Sequence, residues 1–91
     1  MDKNDRTRVT ELRKGSVTLE IYEKKDHNTG KTYYDFTVSR SFFLDGELNF
    51  SKFLQQRDLR NLIVVAVEAM EFISLQHRRL RDNRNNGEYE D

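Results

Sequence analysis

Residues 59–80 read LRNLIVVAVEAMEFISLQHRRL, and the choice between helix and strand for this stretch decides the fold. Leu59, Ile63, Ala66, Met70, Ile73, His77 and Leu80 recur at alternating steps of four and three, which lays one apolar stripe along a helix. Leu62, Val65, Ala69 and Phe72 form a second row beside it, and Val67 widens the other flank. The β-branched cluster Ile63, Val64, Val65 and Val67 would also suit a buried strand. Length decides against this, because the helical period persists through the whole stretch without Gly or Pro. Asp58 stands in the first turn and Arg78, Arg79 and Arg81 stand near the last, each sign at the helix end it suits. At about 100° per residue the apolar arc covers roughly 200°, about twice what a helix on one sheet needs. The surplus predicts a homodimer, with Leu62, Val65, Ala66, Ala69, Met70 and Ile73 at its interface.

Upstream the period changes to two. Val17, Leu19 and Ile21 alternate with Thr18, Glu20, Tyr22 and Lys24, and Tyr34, Phe36 and Val38 alternate with Tyr33, Asp35, Thr37 and Ser39. Between these runs, Asp26-His27-Asn28-Thr29-Gly30 is turn chemistry. Setting Ile21 opposite Phe36 and Leu19 opposite Val38 puts every apolar residue on one side; a slip of one would bury Asp35 and Thr37. The long hairpin therefore spans residues 16–43. Asp45-Gly46 signals a second hairpin, with a shorter strand from Glu47 toward Leu54 that turns Leu48 and Phe50 inward. Residues 8–12 supply a short first strand, closed by a turn at Gly15.

The predicted fold is thus α+β. An antiparallel sheet of three or four strands is followed by one long C-terminal helix, about residues 57–80. Residues 8–80 make a single domain, between a disordered N-terminus (1–7) and a disordered polar tail (81–91). At 91 residues, a lone chain buries only about 60–65% of its unfolded surface.

Composition narrows function by exclusion. There is no Cys, hence no disulfide framework and no thiolate metal site. The charged first residues show no secretory leader and no stretch is apolar enough to span a membrane, so a cytoplasmic location is expected. Formal net charge is zero, yet residues 6–14 and 76–84 each carry four cations against one carboxylate. No glycine-rich phosphate loop, calcium loop or triad spacing occurs, so neither an enzyme nor a cofactor nor a metal site is expected. His27 reads as a turn residue and His77 as a stripe residue.

The outer face of the long hairpin has the most functional content. Tyr22 and Tyr33 stand near Lys24, with Lys25 and Lys31 flanking the turn. Aromatic rings among cations on a sheet face are how single-stranded nucleic acid is held, bases on the rings and phosphates on the cations. Tyr, Thr and Lys are also what an ordinary solvated strand face carries, and Glu20, Glu23 and Asp35 share the region.

The runs RKGSVTLEIYEKKDHNTGKTYYDFTVSRSF (13–42) and DLRNLIVVAVEAMEFI (58–73) resemble a group of small bacterial proteins with a GKxxYxxTxxRSF-like strand and a helix opening on Asp-Leu. Over roughly residues 8–75, the order of antiparallel strands then one helix is also similar to positive cofactor four, the single-stranded-DNA-binding transcriptional coactivator. The Whirly and Pur-type nucleic-acid binders have a related plan. In the coactivator family, paired helices join the subunits and curved sheets hold the strand. Its basic strand, glycine turn and long hairpin would correspond to Arg13-Lys14-Gly15 followed by Ser16 to Arg40. The residue pattern and the resemblance together lead to the expectation of a homodimer that binds single-stranded DNA, with Tyr22 and Tyr33 stacking bases and Lys14, Lys24, Lys25, Lys31 and Arg40 contacting phosphates. A dimeric protein-interaction module with no nucleic-acid activity is the alternative.

Overall fold

The computed structural model describes residues 6–89, with side chains as far as Leu80. Four strands follow in chain order: β1 (Thr7–Lys14), β2 (Val17–Lys25), β3 (Thr32–Leu44) and β4 (Glu47–Ser51). A 3-10 turn at Gln56–Asp58 leads into α1 (Leu59–Tyr89). Each strand pairs antiparallel with its sequence neighbour, giving the sheet order β1-β2-β3-β4. The fold is α+β, a four-stranded antiparallel sheet followed by one helix.

Turn geometry follows from the residues at the turns. Asp45 and Gly46 both take positive φ, 54° and 82°, which makes the two-residue connection whose twist matches a hairpin. Gly15 has φ 59°, and a Cβ there would lie 2.5 Å from Asn61 Nδ2, so the β1–β2 turn is held closely against α1. Ile21 stands opposite Phe36, Leu19 opposite Val38, Tyr22 opposite Asp35 and Lys24 opposite Tyr33, the register that the apolar alternation predicts. At the outer edge, β1 carries one extra residue, Val9, between the pairs Arg8–Tyr22 and Thr10–Ile21.

Val17, Leu19 and Ile21 of β2 meet Val65 and Ala69 of α1 to form the buried core. Leu12, Val38, Leu54, Leu62, Phe72 and Ile73 pack around them half-buried. Each fully buried aliphatic side chain contributes about 1.5–3 kcal/mol relative to exposure. Helix α1 lies over β1 and β2. It does not reach across β3: Phe36 points to the helix side opposite Ile21 and yet is 61% exposed. A helix is about 10 Å wide and strands are about 4.8 Å apart, so one helix roofs two strands, not four. Phe36 is therefore no core residue of the single chain.

Several expectations are corrected. Beyond Arg40, β3 leaves β2 and pairs with β4 alone. The Asp45-Gly46 turn sets Leu44 against Glu47, so Leu48 faces Phe43 and Phe50 faces Ser41 on the side away from α1. Leu48 and Phe50 are outward and exposed, not inward. Val65 and Ala69, expected at a dimer interface, are buried in the chain's own core, while Leu62 and Ile73 pack against it. Ala66 is half-buried, and of the expected interface residues only Met70 is widely exposed, at 68%. The helix turns its second row, Leu62, Val65, Ala69 and Phe72, to the sheet and leaves Leu59, Ile63, Met70 and Leu80 of the first stripe open. Finally, α1 runs to Tyr89 where a disordered tail was expected. Elongating an existing helix adds a hydrogen bond per residue, and no Pro interrupts it. Of the expected disordered N-terminus, residues 1–5 lie outside the described residues and Thr7 already belongs to β1.

Candidate nucleic-acid interface

On the side of the sheet away from α1, Glu20 is the hub. Its carboxylate accepts from Arg8 Nη1 at 2.7 Å, Tyr22 Oη at 3.3 Å and Thr37 Oγ1 at 3.4 Å. Arg8 also reaches Glu11 at 3.1 Å, and Arg13 pairs with the same carboxylate. Arg6 Nε lies 2.6 Å from Asp35 Oδ2. The hydrogen bond from Arg8 chiefly holds the Glu20 carboxyl below its ordinary range, and the same bond raises Arg8. The arginines of this face are thus occupied by carboxylates.

The lysines are not. Among the described residues, no ion pair engages Lys14, Lys24, Lys25, Lys31 or Lys52. Lys24, Lys25 and Lys31 gather at the β2–β3 turn, together with Tyr33, which is exposed, and Tyr22, which is half-buried by its contact with Glu20. The turn is closed by its own hydrogen bonds. Asp26 accepts from the Asn28 amide at 3.0 Å and from Thr29 Oγ1 at 3.1 Å, and these bonds, that of the amide first, lower its pKa. A carboxylate that bonds its own turn leaves the neighbouring lysines without a local partner.

Helix α1 closes this end of the sheet. Lys25, Lys31, Tyr33, Tyr34, His77 and Leu80 line an open groove between the turn and the helix. Tyr34 and His77 meet edge to face, with ring centroids 5.3 Å apart at 89°. Tyr34 Oη donates to Glu23 Oε2 at 3.3 Å, and burial together with that carboxylate raises its pKa. The exposed Arg78 and Arg79 follow His77 directly. The turn lysines and the basic helix segment, remote in sequence, therefore stand at one end of the molecule. Sequence reasoning singled out each of them and did not bring them together, since periodicity within an element says nothing of which ends meet.

Two expected contacts stand elsewhere. Lys14 pairs with Val17, and Val17 with Arg40, at the far end of β2. At about 3.3 Å per residue that is roughly 26 Å from the turn lysines. Arg40 is in addition withdrawn from solvent: its Nε lies 3.0 Å from Asp58 Oδ2, with side chains 11% and 4% exposed. The Nε–H is not aimed along a hydrogen bond, so charge proximity joins the pair. Asp58 Oδ2 also accepts from the Gln55 amide at 2.8 Å, which caps the helix start. Arg40 is a structural residue of the helix–sheet junction and is corrected out of the phosphate-contact set. Its alternation with Phe36 and Val38 was the signal that it faces the helix.

Among the described residues, no three His, Asp or Glu side chains come together as metal ligands, and no helix is long and apolar enough to cross a membrane. No protein-family model, curated protein or solved structure matches the chain.

Proposed function

We propose that this chain is a small non-enzymatic protein that binds single-stranded nucleic acid, DNA in the first instance, and acts as a homodimer. The observation that carries the reading is the cluster of unpaired Lys24, Lys25 and Lys31 around exposed Tyr33, on a sheet whose Arg6, Arg8 and Arg13 are each paired with a carboxylate. Unpaired ammonium groups release counterions on meeting phosphates, and an exposed ring takes a base face. The resemblance to positive cofactor four supports the same class. Of the expected contacts, Tyr22, Lys24, Lys25, Lys31 and Tyr33 belong to this site, whereas Lys14 is remote from it.

Fluorescence anisotropy with labelled single strands at several salt concentrations tests the reading. Tyr33→Ala should weaken binding about tenfold, since stacking is worth about 1–3 kcal/mol per base. Replacing Lys24, Lys25 and Lys31 together by Gln should flatten the salt dependence by about two units of slope, at about 0.7 per phosphate. Absence of binding to any oligonucleotide at low salt would overturn it. The second reading, a dimeric protein-interaction module, is favoured by one observation: the exposed apolar residues of the β3–β4 hairpin.

A further inference from the structure

Two apolar surfaces of the described residues have nothing over them. The first combines Phe36 of β3 with Ile63 and Met70 of α1. They share one side, because His77, on the same helical row as Ile63 and Met70, stands against Tyr34 of β3. The second is the arm formed by β4 and the part of β3 beyond Arg40. Its tip carries Phe43, 75% exposed, on one side and Leu44 on the other. A lone two-stranded ribbon is marginal in water, and this one carries exposed apolar residues on both faces, Phe43, Leu48 and Phe50 on one and Leu44 on the other. Neither surface suits solvent.

Area and charge say what covers them. The chain exposes 7326 Å². A compact chain of its mass exposes about 5,600 Å², so the excess is about 1,700 Å², shared between these surfaces and the rest of the chain. Permanent dimers bury about 2,000–5,000 Å² in total, or about 1,000 Å² and upward from each copy. The open row of α1, through Leu59, Ile63 and Met70, holds no charge that would repel its own likeness.

We propose that the second copy closes both surfaces by reciprocal exchange: the β3–β4 arm of each chain seats on the Phe36–Ile63–Met70 face of the other. This deepens the homodimer reading above and is independent of nucleic-acid binding.

Complementation between two variants tests it by light scattering without nucleic acid. The wild type should run at about twice the 10.9 kDa of one chain. An arm variant (Phe43→Glu with Leu44→Glu) and a face variant (Ile63→Glu with Met70→Glu) should each halve that mass while keeping the wild-type circular dichroism. Their equimolar mixture should recover dimer, since one intact arm then meets one intact face. A monomeric wild type would overturn the dimer as well as the exchange; a mixture that stays monomeric would overturn the exchange alone. Should either variant unfold, the absence of native Cys permits a second measurement. Phe43→Cys and Ile63→Cys chains should cross-link when mixed in equal amounts and oxidised, giving well over twice as much mixed disulfide as either homodisulfide, twice being the ratio that random pairing yields. A statistical distribution of disulfides would count against arm on face.

Discussion

Strands β2 and β3 pair over nine residues in one unbroken register, yet they live in different surroundings. On β2, Val17, Leu19 and Ile21 lie beneath α1 and are closed to solvent. On β3, directly opposite Ile21, Phe36 has the same orientation and a larger side chain, and most of it is open. The pleat fixes which side a residue faces; the width of the covering layer fixes whether that side is buried. Facing the helix and belonging to the core are separate properties.

The junction between the two halves should give the largest effect. Asp58→Ala leaves the Arg40 charge with little water and no counterion, and breaking such a pair costs about 3–5 kcal/mol. Urea unfolding measures it, and replacing both partners by apolar residues should recover much of the loss. Full retention of stability in Asp58→Ala would mean that Arg40 swings out to solvent.

The comparison itself is tested next. Ile21→Ala should destabilise by about 2–5 kcal/mol, whereas Phe36→Ala in dilute protein should stay within about 0.5 kcal/mol. Raising the protein concentration should leave the first value unchanged and enlarge the second if a second copy covers Phe36, because association adds to stability by mass action. Equal, concentration-independent losses would place Phe36 inside the single chain's core.

The smallest effect concerns the outer face. The Glu20 carboxyl sits below its ordinary pKa in the folded chain, with Arg8 as the main cause. A depressed carboxyl stabilises the fold above its unfolded pKa, and that contribution is lost as pH falls through the folded value. The urea midpoint should therefore decline on acidification below the ordinary glutamate range, and Glu20→Gln should flatten that decline. An unaltered pH profile in the variant would show that the Arg8–Glu20 contact is solvent-screened to nothing.

The hairpin was legible because its apolar residues alternate cleanly, so a one-residue slip would have buried Asp35. Helix α1 was legible from its period, as was the excess width of its apolar arc. What the period lacks is a direction. Leu62, Val65, Ala69 and Phe72 are as apolar as Leu59, Ile63 and Met70, and only packing chooses which row meets the sheet. The site was half legible. Lys24, Lys25, Lys31 and Tyr33 are close in sequence and stay close in space, whereas the approach of this turn to His77 and Leu80 depends on how α1 lies. Arg40 was read by charge alone, although its place on the face of Val38 and the Asp58 ahead of α1 already allowed for an internal pair.

The extra residue at Val9 has a consequence for self-templated misassembly. A sheet of four strands ends in two rows of unsatisfied amides and carbonyls, and proteins blunt such rows with bulges and charge. Strand β1 has both devices, the Val9 bulge with Arg8, Glu11 and Arg13 along it. Strand β4 has no bulge and alternates Glu47 and Asn49 with Leu48 and Phe50, so its protection is its five-residue length. Of the two sheet edges, β4 is therefore the less protected against pairing with another chain.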